Sequence, residues 1–324
     1  DNLAAADRVS IVTYAGSDEV VLEGADGNDR KKILRAINDL EAGGSTAGAA
    51  GINTAYDIAQ KYFIDGGNNR VILATDGDLN VGLSSESELT RLIEEKRESG
   101  VFLSVLGFGT GNYKDNRLEA LADYGNGNYS YIDSEKEAKK VLVDEMSGTL
   151  FTVAKDVKFQ LEFNPTNVKG YRLIGYENRV MAAEDFNDDT KDAGEIGAGH
   201  SVTVLYEIVL ADSKMELGES KLKYASDSEG VMGDELLTVN IRYKEPEGSE
   251  SKLLTYPVNK SLYSDKMSAD MNFASCVAEF GMLLRNSRYI GDVTYKDVSA
   301  QLSKYDYSDD DYKDEFIYLV NTMK

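Results

Sequence analysis

The sequence predicts an α/β protein, with a mostly parallel sheet carrying helices on both faces, followed by a β-rich domain that ends in helices. Three observations carry this expectation. Up to about Gly148, short β-branched apolar runs alternate with helical periodicity; from about Lys155 the period becomes two; after about residue 260 helical spacing returns.

Taken in order, Leu3-Ala4-Ala5-Ala6 reads as the end of a helix running into a strand. Val9 to Tyr14, Val71 to Ala74 and Val101 to Leu106 are nearly continuous in apolar character, as strands buried on both faces are. Between them, Ile33, Leu34 and Ile37 mark one helix face, Ile52, Ala55, Tyr56 and Ala59 a second, and Leu89, Leu92 and Ile93 a third. Ser134 and Glu137 have capping-box spacing and start a further helix expected to end near Ser147-Gly148. Residues 1–154 are therefore expected to form the first domain and 155–324 the second, β-rich to about 260 and helical beyond.

In the second domain, Val157 to Phe163 and Val202 to Ile208 alternate as half-buried strands do, and Tyr171–Ile174, Glu219–Tyr224, Leu236–Tyr243 and Lys252–Val258 are further candidates. A small antiparallel sandwich or barrel is the natural reading. The end of the chain spaces Phe273, Val277, Phe280 and Leu284, then Phe316, Val320 and Met323, as helix stripes, with Phe273, Val277 and Phe280 expected in a core.

Composition narrows the function. A chain of 324 residues with 35 Lys plus Arg and 57 Asp plus Glu carries a net charge of −22, which repels phosphate backbones and anionic lipid surfaces. Nucleic acid is excluded as an expected partner. One cysteine, Cys276, forms no internal disulfide, and one histidine, His200, rules out zinc motifs that need two. No apolar run approaches the roughly 20 residues that span a bilayer, so no direct membrane insertion is expected within the chain.

Two loops draw attention. Gly43-Gly44-Ser45-Thr46 precedes a helix, and Thr75-Asp76-Gly77-Asp78 ends a strand; open α/β sheets bind ligands outside the carboxyl ends of their strands. A hydroxyl and a carboxylate there are hard oxygen donors of the kind Mg²⁺ selects. The plain alternative is a helix start and a turn.

Asp7 to Gly16, Gly43-Gly44-Ser45-Thr46 and Val71 to Asp78 resemble, in order, the von Willebrand factor type A domain. Gly107 to Tyr113 and Gly125 to Tyr129 resemble a bacterial branch of that family with an extra C-terminal domain of uncharacterised role. Leu173 to Arg179, Glu184-Asp185-Phe186, Asp192 to His200 and Ala278 to Gly281 match the same branch, so the resemblance covers nearly the whole chain. It implies a Rossmann-like fold with a metal-ion-dependent adhesion site, where a divalent cation, Mg²⁺ by preference, is completed by an acidic residue of a protein ligand. Thr46 and Asp76 match metal-ligand positions, with Ser45, Gly77 and Asp78 on the ligand-facing side. The family's first strand and its Asp-x-Ser-x-Ser loop are not found between Asp1 and Arg8, so the metal site is expected to be incomplete here. A βα unit preceding Asp1 would supply the loop. The resemblance also implies a bacterial cell-envelope location, with any anchor upstream.

Other motifs read more plainly. Asp78 is a second carboxylate on the same loop. Asp185-x-Asn187-x-Asp189 has Ca²⁺-loop spacing, but Thr190 and Ile196 stand where an EF-hand needs Gly and Glu. Gly107-Phe108-Gly109-Thr110-Gly111 lacks dinucleotide-loop spacing. Cys276 lies on an apolar helix beside Phe273 and Val277 and is expected to be an inert, buried thiol. The expectation is a binding module rather than an enzyme. The alternative is a hydrolase using Ser45 and His200; Ala47 breaks the GxSxG pattern, and His200 lies in the second domain.

Overall fold

The computed structural model describes residues 3–14, 18–41, 43, 48–76, 86–109, 115–145, 152–176, 180–191, 193–217, 233–246 and 248–324, with backbone alone at 86–87 and 115–116. These form two compact units. The first is Asp1–Val157 with Asp192–Ser201 and Tyr243–Ser251; the second is Lys158–Lys191 with Val202–Arg242 and Lys252–Lys324.

Leu3 to Ala6 is not a helix end. The Asp7 carboxylate accepts a 2.6 Å bond from the Ala4 amide, and the Asp7 amide donates to the Ala4 carbonyl, so a short acidic side chain closes a turn. The chain then enters β1 (Arg8–Thr13), which pairs antiparallel with β2 (Glu19–Asp26), from Arg8 opposite Asp26 to Thr13 opposite Glu19. β1 was expected to be a buried central strand, yet none of its residues is fully buried, because its partner is a hairpin arm covered by one short helix. That helix, α1 (Arg30–Asn38), sets Ile33 and Ala36 on Leu22 and Ala25. Leu34 and Ile37 are 45% and 48% exposed, which corrects the expected stripe by one helix position.

The parallel part of the fold is β3 (Arg70–Thr75), β4 (Phe102–Phe108) and β5 (Tyr129–Ile132), in the order β3-β4-β5. On one face, α2 (Gly48–Lys61), α3 (Glu86–Arg97) and α4 (Asp115–Tyr124) bury Ile52, Tyr56, Leu89, Ile93, Leu118 and Leu121 against Val71, Leu73, Leu103 and Val105. Burial of each such aliphatic side chain contributes about 1.5–3 kcal/mol, and this cluster is the main core of the unit. Tyr56 is fully buried there, and its hydroxyl finds no hydrogen-bond partner among the described residues. Burial pushes its phenol pKa up. At the same end of β3, Arg70 donates a 2.6 Å bond to the Ser104 hydroxyl, and burial pushes the guanidinium down to about 10.

The opposite face is only partly covered. Leu106, Ile132 and Val141 pack with Ala138 of α5 (Glu135–Lys139), whose first turn is capped by the Ser134 hydroxyl accepting from the Glu137 amide at 3.2 Å. A π-helical turn, Lys140–Asp144, follows, and the expected helix end near 147–148 lies outside the described residues. Ile72 is 46% exposed and Ala74 is exposed as well, so the β3 stretch of this face lacks a cover among the described residues.

Among the described residues, β1-β2 and β3-β4-β5 are separate sheets. Helix α2 packs on both β1 and β3 and holds them side by side. At Gly51 a Cβ would fall 2.4 Å from the Tyr14 Cβ, so a residue without a side chain is required. From the end of β1, the Tyr14 hydroxyl reaches across and donates a 2.7 Å bond to the Ala74 carbonyl of β3. Among the described residues, no strand pairs with β3 on the side away from β4.

After β5 the chain becomes β-rich, as the change of period predicts. β6 (Thr152–Phe163) pairs antiparallel with β8 (Gly194–Gly197) through its first half, which is why 192–201 sits with the first unit. A register shift falls between Ala154 and Val157; inside it Asp156 has φ 52 and forms a 2.6 Å ion pair with Lys244. In the second unit, β7 (Val168–Ile174) pairs antiparallel with β9 (Leu205–Leu210), and β10 (Glu235–Lys244) lies between β6 and β11 (Lys252–Asn259). The candidate strand at 219–224 lies outside the described residues.

Three capped helices end the chain: α6 (Ala269–Leu284), α7 (Tyr295–Leu302) and α8 (Asp311–Thr322). Ser268, Thr294 and Asp310 supply the N-caps, Thr294 in a full capping box with Asp297. The core joins Cys276, Val298, Leu302, Tyr307 and Val320, and Phe273 and Phe280 both meet Phe316 edge-on at 5.2 and 5.4 Å. Helix α6 thus buries Cys276 and packs half-buried Ala269, Phe273, Phe280 and Leu283 against this core. Val277 and Leu284, which the spacing placed on this stripe, are 42% and 53% exposed, and Met323 is exposed as well. The stripe starts at Phe273 and includes Phe280 as expected, but steps three–four–three rather than four–three–four, so Cys276 and Leu283 take the places of Val277 and Leu284.

Two substitutions on α6 separate the stripes: Phe280→Ala should lower stability by about 3 kcal/mol and Val277→Ala by less than about 0.5 kcal/mol in urea unfolding. Equal effects would return Val277 to the core. Tyr56→Phe removes an unsatisfied buried hydroxyl and should be neutral or stabilising by up to about 1 kcal/mol in the same assay.

Candidate functional site

The carboxyl ends of β3, β4 and β5 form the edge where an open α/β sheet places a ligand. Asp76 follows β3 directly and is exposed there. Gly109 follows β4 with φ +91, and a Cβ on it would lie 3.8 Å from the Asp76 Cβ, so the two loops meet. From β5, the Tyr131 hydroxyl donates a 2.6 Å bond to the Gly109 carbonyl and fixes that loop. Thr75, beside Asp76, is buried at 5% exposure.

Tyr14 completes the described part of the edge. Burial raises its phenol pKa, a hydrogen bond with Thr75 lowers it, and the Asp76 charge raises it again. The phenol therefore stays protonated at neutral pH and remains a donor to Ala74. Neither Tyr14, Gly109 nor Tyr131 carries a residue type that signals a site by itself. Their part follows from topology, since each ends a strand of the same edge.

Of the residues expected to act, Asp76 stands at this edge. Thr46, Ser45, Gly77 and Asp78 lie outside the described residues. Among the described residues, no three His, Cys, Asp or Glu side chains converge on a possible metal position. The donor that is described fits a hard cation: one carboxylate oxygen donor, exposed beside a glycine.

The acidic loop with Ca²⁺-like spacing is organised by the protein's own cations. Lys158 is 3% exposed, and its ammonium donates to the carbonyls of Asp185 (3.0 Å) and Asp188 (2.5 Å). Arg242 takes the Asn187 side chain at 3.2 Å and the Asp189 carboxylate at 2.9 Å, while Lys191 pairs with Asp185 at 3.8 Å. The three side chains at Ca²⁺-ligand spacing are thus each engaged by a basic residue. Buried Phe186 pins the turn from beneath.

His200 stands exposed in the turn after β8, within the first unit, its amide donating to the Gly197 carbonyl at 3.0 Å. Its imidazole makes no hydrogen bond among the described residues, so no carboxylate orients it as a triad requires. Cys276 is fully buried, and burial pushes its thiol up to about 11, as expected of an inert residue.

Residues 1–145 match the family model of the von Willebrand factor type A domain, and residues 148–324 match the model described as uncharacterized protein YfbK, C-terminal. The chain is 44% identical over 319 residues to the uncharacterized protein YfbK of Escherichia coli, covering 97% of this chain and 55% of that protein. It is 25% identical over 261 residues to the uncharacterized protein sll0103 of Synechocystis, covering 80% of this chain and 58% of the relative. The chain thus spans a little over half the length of both relatives. Among solved structures, a von Willebrand factor type A protein from Catenulispora acidiphila is 16% identical with a TM-score of 0.43, covering 92% of this chain and 69% of that one.

The acidic loop should be indifferent to calcium: neither added Ca²⁺ nor a chelator should move the melting temperature. Lys158→Met should lower stability by about 2–4 kcal/mol, because the two carbonyls that the buried ammonium bonds lose their charged donor. A calcium-dependent melting temperature in the unaltered chain would reverse this assignment.

Proposed function

The chain belongs to the family that joins a von Willebrand factor type A domain to the YfbK C-terminal domain, and from that premise we propose that it is a metal-dependent protein-binding module of the bacterial cell envelope. Domains of the first type commonly bind a divalent metal and a protein. In this reading Thr46 and Asp76 hold Mg²⁺, and Ser45, Gly77 and Asp78 line the side facing the ligand. The bound cation supplies an electrostatic seat for an acidic residue of the protein partner. Mg²⁺ is favoured because the donors are oxygens.

The observation that carries the proposal is the exposed Asp76 at the carboxyl edge, held against Gly109 by two neighbouring strands. Tyr14 and Thr75 support it from behind, and their hydrogen bonds fix where the Asp76 backbone leaves the sheet. The side of β3 away from β4, which no described strand pairs with, supports a second part of the proposal. A parallel strand seated there, from sequence upstream of Asp1, would end at the same edge and bring an Asp-x-Ser-x-Ser loop to it. Its helix would cover Ile72 and Ala74. The C-terminal domain serves as a docking or stabilising unit. A hydrolase built on Ser45 and His200 has no observation in its favour, since nothing among the described residues orients the imidazole.

Calorimetry tests this. Two protein donors leave water to fill most of a six-oxygen shell, so the chain alone should bind Mg²⁺ weakly, and affinity should rise sharply once the upstream sequence is included. Asp76→Ala should abolish binding of both the metal and an acidic protein ligand, and a chelator should release the ligand. Equal Mg²⁺ affinity with and without the upstream sequence, or ligand binding that survives chelation, removes the reading. Fractionation of cells carrying the full-length protein tests the envelope location.

A further inference from the structure

Strand β11 stands at the end of the sheet ordered β11-β10-β6-β8, and among the described residues it pairs with β10 alone. Every residue from Lys252 to Pro257 is exposed. Side chains alternate along a strand, so Leu253 and Thr255 point to one face, Leu254 and Tyr256 to the other. Leu253 is 55% and Tyr256 53% exposed, which leaves this stretch open on both faces as well as along its edge. Exposed Leu262 and Tyr263 extend the apolar surface at the turn that follows. The strand is nonetheless held in place: the Thr255 hydroxyl donates a 2.9 Å bond to the Asn240 side chain of β10. Edge strands are ordinarily blunted by charge, by bulges or by short length, yet β11 runs for eight residues and carries no charged side chain from Leu253 to Asn259.

Pro257 decides which peptide groups point outward. A proline has no N–H to give a neighbour, so within a paired strand it sits where the backbone faces away from that neighbour. The Lys260 amide, three residues on, does point to the β10 side, where it donates to the Asp234 carbonyl at 2.8 Å. Odd-numbered positions therefore turn their peptide groups outward, and Leu253 and Thr255 present both N–H and C=O at the edge. We propose that β11 is a self-association edge: a second copy of this chain adds its own β11 antiparallel about a twofold axis at Leu254. In that register Leu253 of each copy lies opposite Thr255 of the other, each pair exchanges both N–H···O=C bonds, and Pro257 stays outside the bonded stretch. Leu254 meets Leu254 across the axis at the close-approach position, with Cα atoms about 4.5 Å apart. The occupant is a second copy because this edge complements itself and brings no like charges together from Leu253 to Thr255. That condition is demanding between chains that each carry −22. The association needs no cation and does not rest on the metal-dependent reading.

Sedimentation equilibrium of the full 324-residue chain tests this. The mass should rise from that of one copy toward that of two between about 1 and 300 µM, as a small interface dictates. Association should strengthen about threefold or more in about 0.5 M salt, which screens the repulsion between acidic copies. Leu254→Lys and Leu254→Glu each set like charges face to face at the axis, so either alone should weaken the dimer about tenfold or more, and an equimolar mixture of the two should restore it. Leu254 is exposed, so both variants should keep the melting temperature within about 2 °C of the unaltered chain. In oxidised glutathione, Leu254→Cys should cross-link to itself about tenfold or more faster than Tyr256→Cys, whose opposite number is Lys252 of the second copy. Buried Cys276 does not compete. A chain still monomeric at about 300 µM, which would leave the edge to a strand from another protein, overturns the proposal. So does a dimer undiminished in Leu254→Lys, or equal cross-linking at both positions.

Discussion

Much of the first unit depends on how its two sheets are held together without hydrogen bonds between β1 and β3. Helix α2 does this by lying on both, and it comes close enough only because Gly51 has no side chain to meet Tyr14. The Tyr14 hydroxyl then spans the remaining distance to Ala74. One glycine and one phenol thus set the separation of the two sheets and the position of the loop that bears Asp76. Ile72 and Ala74 are left without cover among the described residues, because α5 covers the other face only beside β4 and β5, and alternate residues of a strand point to that face.

The charge balance has a similar local logic. At −22, the chain has far more carboxylates than cations to pair them with, and several of its basic residues lie where they engage backbone carbonyls or carboxylates. Lys158 serves the acidic turn, Lys244 meets Asp156 at a strained residue, and Arg172 pairs with Glu207 across β7 and β9 while its guanidinium lies 4.2 Å from the Tyr289 ring centre. A buried cation that satisfies carbonyls does what a bound metal does in other acidic loops, with the advantage that it cannot dissociate.

The sequence was most legible where one physical signal dominated. β3 and β4 were readable from continuous β-branched runs, and α2 and α3 from stripes that remain on the core in the structure. β2 was missed because Val20, Val21 and Leu22 make a run too short to separate from a loop, and α4 because its apolar residues are few. The errors on α1 and α6 share one cause. A stripe extended through its largest apolar residues goes out of phase when the true contact is a small one, Ala36 in one case and Cys276 in the other. For the candidate site, the residue that chemistry marks, Asp76, could be named from sequence. Tyr14, Gly109 and Tyr131 could not, since their relevance exists only once separate strands end at the same edge.

The single thiol has a practical side. Cys276 is sealed in the helical core with its pKa near 11, so alkylating reagents and mild oxidants should find almost no thiolate in the folded chain. A cysteine placed by design on the surface would be the sole reactive handle. Spectroscopic labels, cross-linkers or immobilisation chemistry can then be attached at one chosen point without first stripping the protein of a native competitor.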